Sequence, residues 1–364
     1  MSEPLFDGKL SSASKPRKCD IVNTFWPDLR LVEHDLIEDD YADLLRIIDE
    51  TLRSLAHHKA SFADQFLGDF LTTVTQIREH QDTAKTTLID IVVDSRYPGA
   101  PRDTVVRSIE LAARLWLGVN ICSRVTSIGP SNPKDSCIEW SNNRSLSEVV
   151  AEQFERKAIA AIDDDLSLNI SFTAVKLMRK RGVQIRWTDS LVEHLKLEGP
   201  AGDRSLSIYG QKLRLINHHK DRETKMLKRQ MLEEAIYTLD LLFPVSDLET
   251  IKFLKDQRLH FNGLAPYDEA PVLNNLNGFV YWRRNLEQLL RLLNGPPETT
   301  GQMLRDKRSL VTLWIGIFGV LIVTILFGIL ATVFAAIQYV VAVRSYNLAL
   351  ALACMQTPAP SGFC

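Results

Sequence analysis

Between Ser309 and Val343 the chain runs for 35 residues without one charged side chain. A helix of that length reaches roughly 52 Å at about 1.5 Å per residue, whereas a bilayer core of about 30 Å needs only about 20 residues. From Leu310 to Phe334 seventeen residues are Leu, Ile, Val or Phe. At about 0.3–0.6 kcal/mol each they favour insertion by roughly 5–10 kcal/mol, an upper bound. The run is apolar on every face, so a buried helix of a water-soluble core is the poorer reading. No Pro, Asn or Asp interrupts it, only Gly316, Gly319 and Gly328, and two spans would need about 40 residues plus a polar turn. The sequence therefore predicts one transmembrane helix over 309–343, led by a juxtamembrane helix over 298–308 and followed by a short tail over 344–364.

The flanks give the expected orientation. Trp314 near one end and Tyr339 near the other suit the headgroup level. Arg305, Lys307 and Arg308 precede the span and only Arg344 follows it closely, which places the N-terminal side in the cytosol by the positive-inside rule. Residues 1–20 lack the apolar stretch of a signal peptide. The expected layout is a cytosolic body on a single-pass tail anchor, with the lipid bilayer as its first partner.

Formal net charge is −2, which suggests neither a nucleic-acid nor an acidic-membrane protein from overall balance. The five cysteines are Cys19, Cys122, Cys137, Cys354 and Cys364. They are far apart, odd in number and form no CxxC, so neither a zinc site nor a disulfide framework is expected. The last four residues do not form a prenylation box.

Periodicity makes the fold class mainly α. Residues 1–20 read as a disordered tail, and 21–297 as a helical body. Leu44, Leu45, Ile48 and Leu52 recur at helical spacing, as do Phe62, Phe66, Phe70, Val74 and Ile77. Further helices are expected after Asp103, from about Ser145, up to Arg181, from Arg222 to Phe243, after Ser246 and over 279–293. The pattern changes at Gly182. Val183–Trp187 alternates like a strand, and 195–198 and 205–209 flank a Gly-Pro-Ala-Gly-Asp-Arg turn. A small α/β hairpin insert is thus predicted over about 183–209.

Candidate chemistry is sparse. Lys176–Arg229 holds fourteen basic residues against six acidic ones, and Glu33–Glu50 eight acidic against one basic. Lys176, Arg179, Lys180 and Arg181 are candidate contacts for anionic headgroups. The competing reading is that the basic and acidic blocks face each other, or are solvated helix faces. The hairpin turn carries a single Arg204 beside Asp203, a poor grip on phosphate, so no nucleic acid is expected. His57-His58 and His218-His219 are adjacent pairs that point apart on a helix and do not chelate as an i, i+4 pair would. His194 stands beside Glu193, with Asp189 four residues before Glu193, yet no Ser or Cys nucleophile sits in a recognisable elbow. Asp163-Asp164-Asp165 lacks the alternation of a calcium loop. No P-loop, GxGxxG or HExxH occurs. No catalytic, cofactor-binding or metal-binding residue is therefore expected. Asn143-Arg144-Ser145 and Asn169-Ile170-Ser171 are glycosylation sequons that a cytosolic body would leave unmodified.

Several landmarks carry a resemblance. Trp187-Thr188-Asp189-Ser190-Leu191-Val192-Glu193-His194-Leu195 is followed by Glu234-Ala235-Ile236-Tyr237-Thr238-Leu239-Asp240-Leu241-Leu242-Phe243-Pro244. Then come Tyr281-Trp282-Arg283-Arg284 with Leu286, and Asp306-Lys307-Arg308 at the step into the span. In this order, over 183–345, they resemble a widespread group of filamentous-fungal proteins. The resemblance implies a helical body on one anchor and implies no activity. In outline only, a helix feeding a C-terminal span is similar to CorA-type magnesium channels. Those have two spans joined by Gly-Met-Asn, which this chain lacks. The leading expectation is a membrane-anchored interaction or regulatory protein that meets a protein partner, self-association included. The alternative is a subunit of an oligomeric channel or transporter, in which Gly328, Ala331 and Ala335 would let helices approach.

Overall fold

The computed structural model describes residues 3–7, 9–122, 135–155, 172–223, 226–259, 276–299, 302 and 307–355. The chain divides into two compact units, 1–298 and 299–364.

The first unit opens with α1 (Lys15–Phe25), α2 (Glu38–Ser54), α3 (Leu67–Glu79), α4 (Lys85–Arg96) and α5 (Arg102–Leu117). Glu38, Asp39 and Asp40 form the first turn of α2, where negative charge complements the helix dipole. Helix α5 is the post of this half. Ile109, Leu111, Ala112, Ala113 and Trp116 are all at most 2% exposed, and α3 and α4 pack on it. It ends at Gly118 in the left-handed region, φ +65°, where an added Cβ would lie 2.1 Å from the Tyr209 hydroxyl. Conformation and space both require glycine there.

A short parallel pair follows, β1 (Ile121–Cys122) with β2 (Ile138–Glu139), then α6 (Leu146–Glu155). The start of α6 is a capping box. Ser145 Oγ accepts from the Glu148 N–H at 3.2 Å, and the Glu148 carboxylate accepts from the Ser145 N–H at 3.0 Å, so two otherwise orphaned donors are satisfied. Helix α7 (Ala174–Arg181) stops at Gly182, again left-handed at φ +68°.

The predicted insert is a three-stranded sheet of β3 (Gln184–Thr188), β4 (Lys196–Glu198) and β5 (Ser205–Tyr209), in the order β3-β5-β4. Strands β4 and β5 form the antiparallel hairpin, with Leu197 opposite Leu206. Strand β3 joins the other edge in parallel, with Trp187 opposite Ile208. Leu206, Ile208 and Tyr209 are fully buried, as expected for the central strand. Helices α8 (Lys212–Lys220), α9 (Arg229–Leu242), α10 (Leu248–Asp256) and α11 (Arg283–Asn294) complete the body.

Four expectations need correction. Residues 1–20 are not a loose tail among the described positions. Leu5, Phe6 and Leu10 are at most 4% exposed, and Pro4 bridges Phe66. The Asp49 carboxylate accepts from the Leu10 and Ser11 N–H groups at 2.7 and 3.0 Å, a long-range partner that local composition could not announce. The helix expected over 222–243 begins only at Arg229. Cys122 and Cys137 are joined in a disulfide with Cα atoms 6.0 Å apart. Pairing of β1 with β2 brings them together, although their spacing carries no motif. Finally, 298 and 299 are not helical, so the juxtamembrane helix expected over 298–308 does not begin at 298; 300, 301 and 303–306 lie outside the described residues.

The second unit holds α12 (Lys307–Cys354), one unbroken helix of 48 residues. It continues past 343 through the first half of the expected tail. Its candidate span is Trp314–Cys354, whose most apolar 18-residue window has mean hydropathy 2.8 and no buried residue.

Candidate functional site

The anchor residues are placed as follows. Arg305 lies outside the described residues. Lys307 and Arg308 are in the first turn of α12. Trp314 stacks on Phe318 with ring centroids 5.4 Å apart and, with Tyr339, is exposed. Arg344 is exposed on the same helix. Thr324 and Thr332 donate their hydroxyls to Val320 O and Gly328 O at 2.8 and 2.7 Å. Their polarity is thus satisfied within the helix, which is what a lipid surrounding demands.

The four candidate headgroup contacts separate. Arg179 and Lys180 are exposed, and Lys176 is half-buried. Arg181 is 3% exposed and donates to Leu293 O at 2.8 Å and to Gly295 O. It closes the C-terminal end of α11, whose last carbonyls have no helical donor. Arg181 is therefore removed from the lipid-contact set. The sequence pattern could not separate it from its three neighbours because burial of its side chain depends on α11, about 110 residues away.

Much of the basic block is likewise structural. Arg186 donates to Asp135 at 2.7 Å and Lys196 meets Glu193 at 2.9 Å. Lys212 is 1% exposed and pairs with Asp240. The basic run meets acids scattered over the fold rather than the acidic block of α2.

The histidines are also accounted for by packing. His194 is fully buried. Its Nδ1 accepts from the Tyr209 N–H at 3.2 Å, so Nε2 carries the proton and donates to Thr238 Oγ1 at 2.7 Å. Thr238 passes its own proton to Ala235 O at 2.8 Å. Glu193 turns instead to Ser136 and Lys196, so the trio suggested by Asp189, Glu193 and His194 is not assembled. Glu234, 1% exposed, accepts from the N–H groups of Val280, Tyr281 and Trp282 at 2.7, 2.8 and 3.3 Å. Burial raises its pKa, opposed by those donors. It caps the start of α11 across the interior. Two of the landmark stretches, around 234–244 and 281–284, are thus joined by one carboxylate.

His218 is buried between Trp26 and Trp116, and its Nε2 donates to Trp116 O at 2.9 Å. Burial pushes the imidazole down to about 3, and the nearby Arg214 charge adds to that. Since the folded-state value lies below the unfolded value of about 6.5, the neutral ring stabilises the body above pH about 6.5. That contribution is withdrawn as the pH falls from there toward 3, at about 1.4 kcal/mol per unit. Moving the full-length protein in detergent from pH 7 to pH 5 should therefore remove roughly 2 kcal/mol. Tryptophan fluorescence melting should show the fall, and His218→Gln should flatten it whatever its effect at pH 7.

No group of three or more His, Cys, Asp or Glu among the described residues is arranged to hold a metal; Asp163–Asp165 lie outside them. A crevice too narrow to admit a water molecule is lined by Ala151, Phe154, Glu155, Met226, Lys228, Met231 and Tyr281, and it is no small-molecule pocket. The feature of largest chemical consequence is therefore α12, an apolar surface of which the described side chains are exposed throughout most of its length. No protein-family profile, no curated protein and no solved structure matches the chain.

Proposed function

We propose that this chain is a membrane-tethered interaction or regulatory protein whose body works on the cytosolic side of a bilayer. The observation that carries the reading is α12: its candidate span is 41 residues long and unburied by its own protein. Water does not tolerate an apolar surface of that extent. A body whose buried charges and histidines are committed to packing supports binding rather than catalysis. The basic flank Arg305, Lys307 and Arg308 against the single Arg344 supports the cytosolic orientation.

Two observations favour the opposite orientation as a second reading. Cys122 and Cys137 are disulfide-bonded, a linkage typical of oxidising compartments. Asn143 of the first sequon is exposed in a turn. Protease protection of sealed microsomes separates the two. In the proposed orientation, added protease digests the body, and glycosidase causes no mobility shift. A protected body with a glycan on Asn143 would reverse the topology.

A further inference from the structure

The outward stripe of α10 has a composition that packing does not explain. Thr250 and Leu254 are buried and Phe253 is half-buried, so the helix turns that side to the core. At 3.6 residues per turn, Leu248, Ile251, Lys252 and Lys255 share the opposite side. Leu248 is 80% exposed and Ile251 39%, with Val245 just before the helix at 38%. Lys252 and Lys255 are exposed as well. The acids of the helix, Glu249 and Asp256, lie off this stripe, and Glu249 is held by Arg179 of α7. Exposed Lys180 extends the positive charge onto α7, which packs beside α10.

We infer that this α10–α7 face is a second, peripheral membrane contact that seats on an anionic bilayer surface, with Leu248, Ile251 and Val245 entering the headgroup boundary and Lys252, Lys255 and Lys180 meeting lipid phosphates and carboxylates. The inference rests on the anchoring proposed above. Protruding apolar side chains ringed by cations are the composition of an interfacial helix, and each cation near an anionic leaflet adds attraction. Proximity supports the same occupant. Arg181 at the end of α7 bonds Gly295 O, where the chain leaves the body. Lys307, the first residue of α12, follows twelve residues later, a tether of roughly 40 Å at most. Whatever surface holds α12 is thus joined to the body by a short stretch of chain, and the charge of the face favours an anionic bilayer over a neutral one.

The test uses the full chain in nanodiscs of phosphatidylcholine alone or of phosphatidylcholine mixed with phosphatidylserine, an anionic lipid of the cytoplasmic leaflet. The photo-reactive residue p-benzoylphenylalanine is placed at Leu248 in one variant and at Phe327 in another. Both sites are exposed, so neither substitution disturbs the core. Illumination should give a lipid adduct at position 327 in both membranes, and at 248 chiefly in the anionic one. Lys252→Glu with Lys255→Glu should cut the adduct at 248 roughly tenfold or more and leave that at 327 unchanged. An adduct at 327 with none at 248, or with a second protein chain at 248, overturns the inference and leaves the anchor standing. No lipid adduct at 327 overturns the anchor and this contact together.

Discussion

Two arginines in the middle of α12, Leu326→Arg with Leu330→Arg, should move the full-length protein from the carbonate-resistant membrane pellet into the supernatant or into aggregates. The positions lie one turn apart on one face, about midway between Trp314 and Tyr339. They are 54% and 50% exposed, so no side chain of the protein covers them. Each arginine at the centre of a span costs about 2.5–3.5 kcal/mol, and each lost leucine removes a few tenths more. The sum, roughly 6–8 kcal/mol, is of the order of the whole 5–10 kcal/mol that favours insertion. At 1.4 kcal/mol per factor of ten, the partition should shift by roughly four to six orders of magnitude. Leu326→Ala with Leu330→Ala removes side-chain volume without charge and should stay in the pellet. Wild-type protein that remains monodisperse in buffer without detergent would refute the anchor directly.

What the sequence made legible follows from the range over which each signal acts. The span needed only composition within 35 residues. The hairpin needed only alternation around a Gly-Pro turn, and it lies where expected, with Gly199 left-handed at φ +97°. The start of α6 lies where a helix was expected, from about Ser145, and its capping box is contained in four residues. Helix α4 went unread although Leu88, Ile89 and Val92 are buried in it, because its outer residues do not complete a clear period. The misreadings share one cause. Leu10 is ordered by Asp49, Arg181 is buried by α11, and Cys122 meets Cys137 through a strand pairing. Each outcome depends on a partner brought in by the tertiary fold, and residue type alone leaves both alternatives open. Glu234 belongs with them: nothing local in the stretch 234–244 marks it as the cap of a helix that begins at Arg283.

Replacing Lys85 should destabilise the body strongly. Lys85 opens α4 with a fully buried side chain, and its ammonium meets the carboxylate of Glu110 on α5, itself 2% exposed. The same Nζ donates to Trp140 O at 3.1 Å and stands 5.0 Å from the centre of the Trp140 ring. One lysine therefore ties α4, α5 and the segment after β2 together. Lys85→Met fills the space with a chain of similar length but removes the ammonium that faces the buried Glu110 carboxylate, for which the expected loss is about 3–5 kcal/mol. The melting midpoint of the full-length protein in detergent should fall by roughly 10 °C. Glu110→Leu in the same chain should restore much of the loss, since a buried ion pair replaced whole by apolar groups is often neutral or better. A lone Lys85→Met that melts like the wild type would mean the pair contributes no net stability. A double variant as unstable as the single would mean that the Trp140 contacts, rather than the charge left on Glu110, hold this junction. Because α12 takes no part in the pair, both variants should remain in the membrane pellet, which separates collapse of the body from loss of the anchor.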